Sequence, residues 1–326
     1  MNDVFTKLKE LAISKKLNIL LGAGASMPAI PTIQSFKKQF SQLDGKELDE
    51  KELNEKLLEH IKTISQNLIS NDYENDPNQT SITLVLNTYE DFIRSITNIL
   101  YASNSRQVPR TANIFTTNYD LFLEKAVDTV MQEENFIFND GAKGYFTRYL
   151  DSANFNISTA YRGLNDNYNI EVPAITLIKP HGSVNWARDK KTDRIIIKDH
   201  CDFSDPVVVL PDQHEERQTF LDNHFHEMLR VFQMELDKPQ SVLFVLGFSF
   251  GDKHIAKMVC RALRNRELMV YCLCHSDKDK ETIQGKLNLR KIPPNLVLYG
   301  PSDLEMNEIT LSVLNEIFEC EENTDE

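Results

Sequence analysis

Three polar residues in this sequence are of types that move protons or orient a reacting group. Asn118 and Asp120 lie in the motif TTNYD, and His181 lies in the motif KPHGSVNW. An imidazole with an ordinary pKa near ~6.5 can act as a base toward water or a hydroxyl group at neutral pH. The amide of Asn118 can position such a water, and the carboxylate of Asp120 can stabilise a cation. The alternative is that all three are structural, as helix caps and a solitary core histidine.

Clustered glycines are the second chemical feature. The chain has only 11 glycines, and several of them fall in three short motifs that each follow an apolar run: Gly22, Gly24, Gly182, Gly247 and Gly251. In GAGAS, the absence of side chains lets the backbone turn tightly and bring amide groups against a pyrophosphate. A simple turn is the alternative. The third glycine of a dehydrogenase fingerprint is missing, which argues against a hydride-transfer enzyme.

A fourth motif, LGFSFGD, ends another apolar run. Gly247 and Ser249 are placed to contact ribose or phosphate, and Asp252 is placed to cap the helix that follows. Four polar motifs at the ends of four strands are typical of a sheet that binds a nucleotide at its carboxyl edge.

The elements that position these motifs are buried strands alternating with helices. Helical patterns such as Phe220 to Leu236 and Ile255 to Leu263 lie between short apolar runs. This alternation predicts an α/β fold with a doubly wound, Rossmann-like parallel sheet and a helical insertion. The runs expected to form strands are Leu17 to Leu21, Asn113 to Thr116, Ala174 to Ile178, Val207 to Leu210, Val242 to Leu246, Leu268 to Leu273 and Leu296 to Leu298.

We expect residues 1–326 to form a single domain with two insertions. About ninety residues separate the first two strands, more than a crossover helix needs. The segment of about 30–110 is expected to be helical, since Glu47 to Ile69 and Ile82 to Tyr101 carry apolar residues at helical spacing. The segment of about 136–172 is expected to be irregular or short-stranded. A final helix and an acidic tail are expected over about 301–326.

Composition excludes several classes of function. With 36 basic and 49 acidic residues, the net charge is −13, so we expect no binding to duplex nucleic acid or to a membrane surface. No apolar run approaches the ~20 residues of a spanning helix. The five cysteines include no CxxC pair, which argues against disulfides and against a metal site, and Cys272 and Cys274 share one face of a predicted strand. We therefore expect a cytoplasmic, metal-free protein.

The order of the motifs GAGAS, TTNYD, HG and GFS resembles that of the sirtuin superfamily, particularly its zinc-free bacterial branch of NAD-consuming anti-phage effectors. The resemblance implies catalytic roles for Asn118, Asp120 and His181 around the nicotinamide ribose. The residues it assigns to the dinucleotide are Gly22, Ala23, Gly24, Ala25, Ser26, Thr116, Thr117, Gly247, Phe248 and Ser249. Thr117 replaces the usual glutamine of the family, and Phe248 replaces the usual threonine.

Sirtuin deacylases carry a four-cysteine zinc site after the histidine loop, where this chain has only Cys201. The resemblance therefore implies an NAD glycohydrolase that splits NAD into nicotinamide and ADP-ribose and depletes NAD during infection. One alternative is a noncatalytic NAD or ADP-ribose sensor that regulates a partner ATPase. A protein deacylase is less favoured.

Control of such an enzyme is expected to come from assembly. The resemblance implies a homo-oligomer and a partner encoded nearby, for example a HerA-type ATPase or a short Argonaute. The predicted helices of Glu47 to Tyr101 offer a docking surface, or they merely cover the cofactor pocket.

Overall fold

A sheet of seven strands, all paired in parallel, forms the centre of the molecule. It is seen in a computed structural model that describes residues 2–44, 49–73, 76–103, 108–161, 170–199, 203–210 and 223–319. From one edge to the other, its strands are β15 (Leu296–Tyr299), β14 (Leu268–Leu273), β13 (Ser241–Leu246), β1 (Lys16–Leu21), β2 (Thr111–Thr116), β8 (Ala174–Ile178) and β3 (Ile137–Asn139).

Side chains that alternate along these strands build a hydrophobic core on each face of the sheet. On β1, Leu17, Ile19 and Leu21 point into the first core, and Leu20 points into the second. Because successive side chains of a strand point to opposite faces, a strand that is apolar throughout must be covered on both sides.

Helices supply both covers. The first core is closed by α1 (Asn2–Ser14), α3 (Glu50–Ser70), α4 (Gln79–Ala102), α5 (Phe122–Val130) and α9 (Leu311–Glu319), while α2 (Ile33–Asp44) packs against α3. The second core is closed by α6 (Asn223–Asp237), α7 (Lys253–Ala262) and α8 (Asp277–Lys286). The predicted doubly wound α/β fold is confirmed. None of the helices in the described ranges is long and apolar enough to cross a membrane.

The two long insertions differ in construction. The first holds α2, α3 and α4, and α4 buries Ile82, Phe92 and Ile96 in the first core. The second contains short strands: β4 (Ala142–Lys143) and β5 (Arg148–Leu150) form an antiparallel sheet with β10 (Trp186–Arg188) and β11 (Ile195–Ile197), and β6 (Ala160–Tyr161) pairs with β7 (Ile170–Glu171). Its first strand, β3, instead forms one edge of the central sheet.

One predicted strand lies elsewhere. The run from Val207 to Leu210 is not in the central sheet, because only β12 (Val207–Val208) is extended and it pairs antiparallel with β9 (Gly182–Ser183). Both residues of β12 are half-buried, so the run lacks the two-sided burial of a central strand. Cys201 and the acidic tail over 320–326 lie outside the described residues.

The strand order reverses beside β1. From β1 the chain continues to β2 on one side, and it later returns to β13 on the other side. The loops that leave β1 and β13 therefore diverge at the carboxyl edge of the sheet, where open α/β sheets bind their ligands. GAGAS follows β1 and GFS follows β13.

Candidate functional site

The two glycine loops at the strand reversal pack directly against each other. Gly22 N donates to Leu246 O and Gly24 N donates to Gly247 O, each over 3.0 Å. A Cβ at Gly22 would lie 2.4 Å from Gly247 O, and one at Gly24 would lie 2.8 Å from Gly247 Cα. These glycines are therefore required for contact between the two loops. The sequence predicted them only as part of a phosphate-binding loop.

Gly247 has a conformational requirement as well. Its φ is +65°, in the left-handed region that side chains disfavour, and its Cβ would lie 2.6 Å from Ala25 N. The amide groups of Gly24 and Ala25 both donate to carbonyl oxygens of these loops. The exposed residues Ala23 and Ser249 form the rim of the paired loops.

Ser26 joins three elements of the site. Its hydroxyl donates to Asp120 Oδ2 over 3.0 Å, and it accepts from Asn118 Nδ2 over 3.1 Å. The hydroxyl of Tyr89 lies 3.0 Å from the same oxygen. Since a serine hydroxyl has one proton and two lone pairs, Tyr89 must be the donor in that contact. Ser26 is fully buried, so its hydroxyl is saturated by protein groups.

Asn118 is held by both its backbone and its side chain. Its backbone amide donates to Thr116 Oγ1 over 3.1 Å, and its Nδ2 donates to Gly22 O over 3.1 Å in addition to Ser26. Both protons of the side-chain amide are thus used, and within the described ranges no donor contacts Oδ1. The acceptor end of Asn118 is the end that can serve a ligand or a water.

Asp120 is buried beside the start of α5. Its Oδ1 accepts from the backbone amide of Phe122, the first residue of α5, over 3.2 Å, whereas the N-cap position of that helix is occupied by Leu121. Burial raises the pKa of Asp120, although the positive charge of Lys179 and the Ser26 hydroxyl oppose that rise. The same carboxylate completes the group of Gly22, Ser26, Tyr89, Asn118 and Asp120, which we call the Asn118 cluster.

Tyr89 is a member that the sequence did not identify. It lies on α4, inside the helical insertion, and it is almost fully buried. Burial, with the nearby charge of Asp120, raises the pKa of the Tyr89 hydroxyl, so it remains a hydrogen-bond donor at all ordinary pH values. The sequence does not distinguish Tyr89 from an ordinary core residue, because it occupies a buried position of an amphipathic helix, as its neighbours Phe92 and Ile93 do.

An ion pair between the buried Lys179 and the half-buried Glu124 links the Asn118 segment to the histidine loop. Lys179, only 2% exposed, lies 2.6 Å from Glu124 Oε1 and donates to the backbone oxygen of Asp120 over 2.6 Å. It also donates to Ser183 Oγ over 3.1 Å. Burial raises the pKa of Glu124, against the opposing charge of Lys179. Lys179 thereby fixes β2, α5 and the loop after β8 to one another.

His181 has a partner from a different strand. Its Nε2 lies 2.8 Å from Asp252 Oδ2, and both side chains are more than nine-tenths buried. Asp252 Oδ1 accepts from the amides of His254 and Ile255, which confirms its predicted role as the cap of α7. Burial alone would raise the pKa of Asp252, but the hydrogen bond and charge of His181, with the two amides, hold it below the ordinary value.

The remaining predicted residues lie around these groups. Thr116 is buried as the acceptor for Asn118, and the half-buried Thr117 donates its amide to Leu21 O over 3.3 Å. The half-buried ring of Phe248 packs edge-on against Phe250. The structure thus brings the GAGAS loop into contact with both the TTNYD and the GFS loops, and Val184 N, three residues after the histidine, donates to Tyr119 O over 3.1 Å.

No metal centre is formed by the described residues, among which no three histidine, cysteine, aspartate or glutamate side chains converge. Cys272 and Cys274 are both buried in the second core, as predicted from their shared face.

Comparison with protein families gives a match over part of the chain. A family model described as a SIR2-like domain matches residues 112–292. The matched range contains Asn118, His181 and Ser249, whereas the GAGAS loop lies before it. No curated protein matches the chain. Because the match covers more than half of the sequence and includes three of the four strand-end motifs, the chain belongs to the SIR2-like domain family.

Proposed function

We propose that this protein is an NAD glycohydrolase, which splits NAD into nicotinamide and ADP-ribose. SIR2-like domains use NAD, and that general assignment rests on the family match. The hydrolytic reaction is supported by one observation above all. Asn118 is immobilised with only its acceptor atom left for a ligand, on a segment bonded to the loop that carries His181.

In the proposed reaction, the bond between C1′ of the ribose and the nicotinamide nitrogen breaks. Its electron pair leaves with nicotinamide, and the ribose passes through an oxocarbenium-like state. Water then forms the new C1′–O bond and releases a proton. Asn118 Oδ1 accepts a hydrogen bond from that water or from a ribose hydroxyl and so orients it. The carboxylate of Asp120, a member of the same cluster, favours the cationic state in its ionised form.

His181 is proposed as the acceptor of the released proton. Its Nε2 faces the carboxylate of Asp252, which stays ionised because its pKa is held low. We propose that the imidazole accepts this proton from water or from a ribose hydroxyl, and that the carboxylate of Asp252 stabilises the positive charge that forms on the ring. The exposed rim of Ala23 and Ser249 is the proposed contact for the phosphates.

Nicotinamide release from purified protein tests this proposal. We expect His181→Ala and Asn118→Ala each to lose activity by ~10²-fold or more, because each removes a positioned group. The matched control is His226→Ala on α6, an exposed histidine that should retain the wild-type rate. Release that needs an acetylated peptide would instead support a deacylase. NAD binding without release, with or without the product of the neighbouring gene, would support the sensor.

We also propose that the activity serves anti-phage defence by depleting NAD in the cytoplasm, and that a homo-oligomer or a partner such as a HerA-type ATPase or a short Argonaute controls it. These proposals come from the resemblance of the motifs. Light scattering together with nicotinamide release, measured alone and with the partner, tests them. A monomer that is fully active alone would contradict control by assembly.

A further inference from the structure

A groove of about 750 Å³ lies between α7 and the segment that ends α8. Both helices close the second core, so the groove is on the opposite face of the sheet from α3 and α4. The predicted docking surface of Glu47 to Tyr101 is therefore a different surface.

All the charged residues that line this groove are cationic. Lys253, Lys257, Arg261 and Arg264 follow one another at spacings of four, four and three residues, and all are exposed. Lys286 stands on the far wall, where it donates to Ser249 O over 2.8 Å. No acidic residue lines the groove, and none of the ion pairs found in the described ranges involves these five cations.

This concentration of positive charge runs against the charge of the whole chain. The chain has 49 acidic and 36 basic residues, yet the stretch 253–266 contains five basic residues and no acidic one. Lysine at the start of a helix also opposes the helix dipole, so Lys253 gives α7 no stability by its position. Cations that pair with no carboxylate among the described residues of an acidic protein indicate a surface that attracts an anionic partner.

The floor of the groove is apolar. Ala256 and Leu287 are buried there, and Cys260 and Leu289 are half-buried. An apolar floor between cationic walls matches a ligand that has both apolar and acidic side chains. Single-stranded nucleic acid needs aromatic faces for its bases, but the one aromatic residue of the lining, Phe250, is only 2% exposed.

We propose that this groove binds an acidic amphipathic helix of a protein partner. Cations four residues apart on α7 repeat every ~6 Å along its axis, which equals the repeat of carboxylates four residues apart on a partner helix. The partner's apolar side chains enter the floor, and its carboxylates face Lys257 and Arg261. This inference does not rest on the proposed hydrolase activity, since its test measures peptide binding without NAD.

A fluorescein-labelled peptide of 18 residues, with leucines along one helical face and glutamates at four-residue spacing on both flanks, is the probe. A scrambled peptide of the same composition is its control. Binding is measured by fluorescence anisotropy in the absence of NAD. We expect the helical peptide to bind at least ~10-fold more tightly than the scrambled one, and more weakly as salt rises.

The protein variant is Lys257→Glu with Arg261→Glu, which should reduce the affinity for the helical peptide by at least ~10-fold. Lys190→Glu with Lys191→Glu makes the same change of charge in an exposed turn and should leave the affinity unchanged. A second variant, Lys257→Gln with Arg261→Gln, should give an intermediate loss. Circular dichroism and thermal unfolding confirm that each variant folds.

Three outcomes would overturn the proposal. Equal affinity for the scrambled peptide, or binding that ignores the Lys257 and Arg261 changes, would remove the groove as the site. Tighter binding of a labelled single-stranded or duplex oligonucleotide, lost in the same variant, would make the occupant a nucleic acid. Self-association by light scattering that the same variant abolishes would make the occupant a second copy of this chain.

Discussion

The Asn118 cluster and the His181–Asp252 pair lie at the same edge of the sheet, but they are built differently. The cluster joins three elements, the β1 loop, α4 and the β2 loop, through hydrogen bonds that all end at Ser26, Asn118 or Gly22. The pair joins two loops through a single contact between an imidazole and a carboxylate. The hydrogen bonds of the cluster therefore support both the fold and the site, whereas the pair mainly places the negative charge of Asp252 beside the imidazole of His181.

This difference separates two ways in which a substitution can remove function. Removing a group from the cluster or its supports leaves buried polar atoms without partners, which costs stability as well as function. Changing the pair alters one ionic contact, and the loops keep their other bonds. Stability and nicotinamide release, measured on the same variants, should therefore diverge at the pair and fall together at the cluster.

The largest loss of stability is expected for Lys179→Met. The change leaves the half-buried Glu124 without its cation and removes the bond to Asp120 O, so we expect a loss of ~3–5 kcal/mol in the free energy of unfolding. Urea denaturation measures it. The exposed control Lys278→Met should change the same quantity by less than ~0.5 kcal/mol.

The double variant Lys179→Met with Glu124→Gln sharpens this test, because it removes both charges of the pair. It should recover part of the stability that Lys179→Met alone loses. If Lys179→Met unfolds at the wild-type urea concentration, the ion pair does not hold the two segments together and the comparison fails at its strongest point.

The next largest effect is expected for Gly247→Ala. A methyl group there meets Ala25 N at 2.6 Å on a residue whose φ is +65°, so we expect a loss of ~2–4 kcal/mol and of NAD binding. Gly285→Ala is the control, since a Cβ at that position on α8 has open space and should raise stability by ~0.5–1 kcal/mol. Unchanged NAD affinity in a stable Gly247→Ala protein would contradict the contact between the loops as a condition for binding.

The sequence predicted the central sheet well because its strands are apolar on both faces. Ala174 to Ile178 is found as predicted, and the limits of β1, β13 and β14 agree within one residue. The motifs were placed correctly at strand ends for the same reason. The prediction of a central strand over Val207 to Leu210 was wrong, because a short apolar run does not indicate which strand it pairs with.

The connections within the site could not be predicted. The contacts that build it join residues far apart in the chain. Tyr89 contacts Ser26 across 63 positions, and Lys179 contacts Asp120 across 59. Asp252 contacts His181 across 71 positions. The sequence also explained the glycines only in part, because a side chain at Gly22 or Gly24 is excluded by the backbone of the Gly247 loop. Such contacts depend on strand order, and the reversal between β1 and β13 has no local signal in the sequence.

A smaller but more selective comparison is Asn118→Ala against His181→Ala. Both should reduce nicotinamide release by ~10²-fold or more. Asn118→Ala should also lower the free energy of unfolding by ~1–3 kcal/mol, because Gly22 O and Ser26 Oγ lose a buried donor. His181→Ala should lose less stability than Asn118→Ala, because the carboxylate of Asp252 keeps its two backbone donors, His254 N and Ile255 N, when the imidazole is removed. Equal losses of stability in the two variants would show that the pair supports the fold as much as the cluster does.

The smallest expected effect concerns pH and the variant Asp252→Asn. Asparagine still caps α7, so the change removes mainly the charge that faces His181. Because the pKa of Asp252 is lower in the folded protein than in the unfolded chain, its ionised form stabilises the fold above the unfolded pKa. That stability is lost as the pH falls through the folded pKa.

The difference in unfolding free energy between wild type and Asp252→Asn should therefore be present at pH 6 and shrink toward pH 3, by ~1 kcal/mol or less. Urea denaturation across this range measures it, with Asp193→Asn in an exposed turn as the control, for which no comparable change is expected. A difference that grows as the pH falls would mean that folding favours the protonated form of Asp252. In that case the carboxylate of Asp252 could not stabilise a protonated imidazole, and the proposed role of His181 as proton acceptor would lose its support.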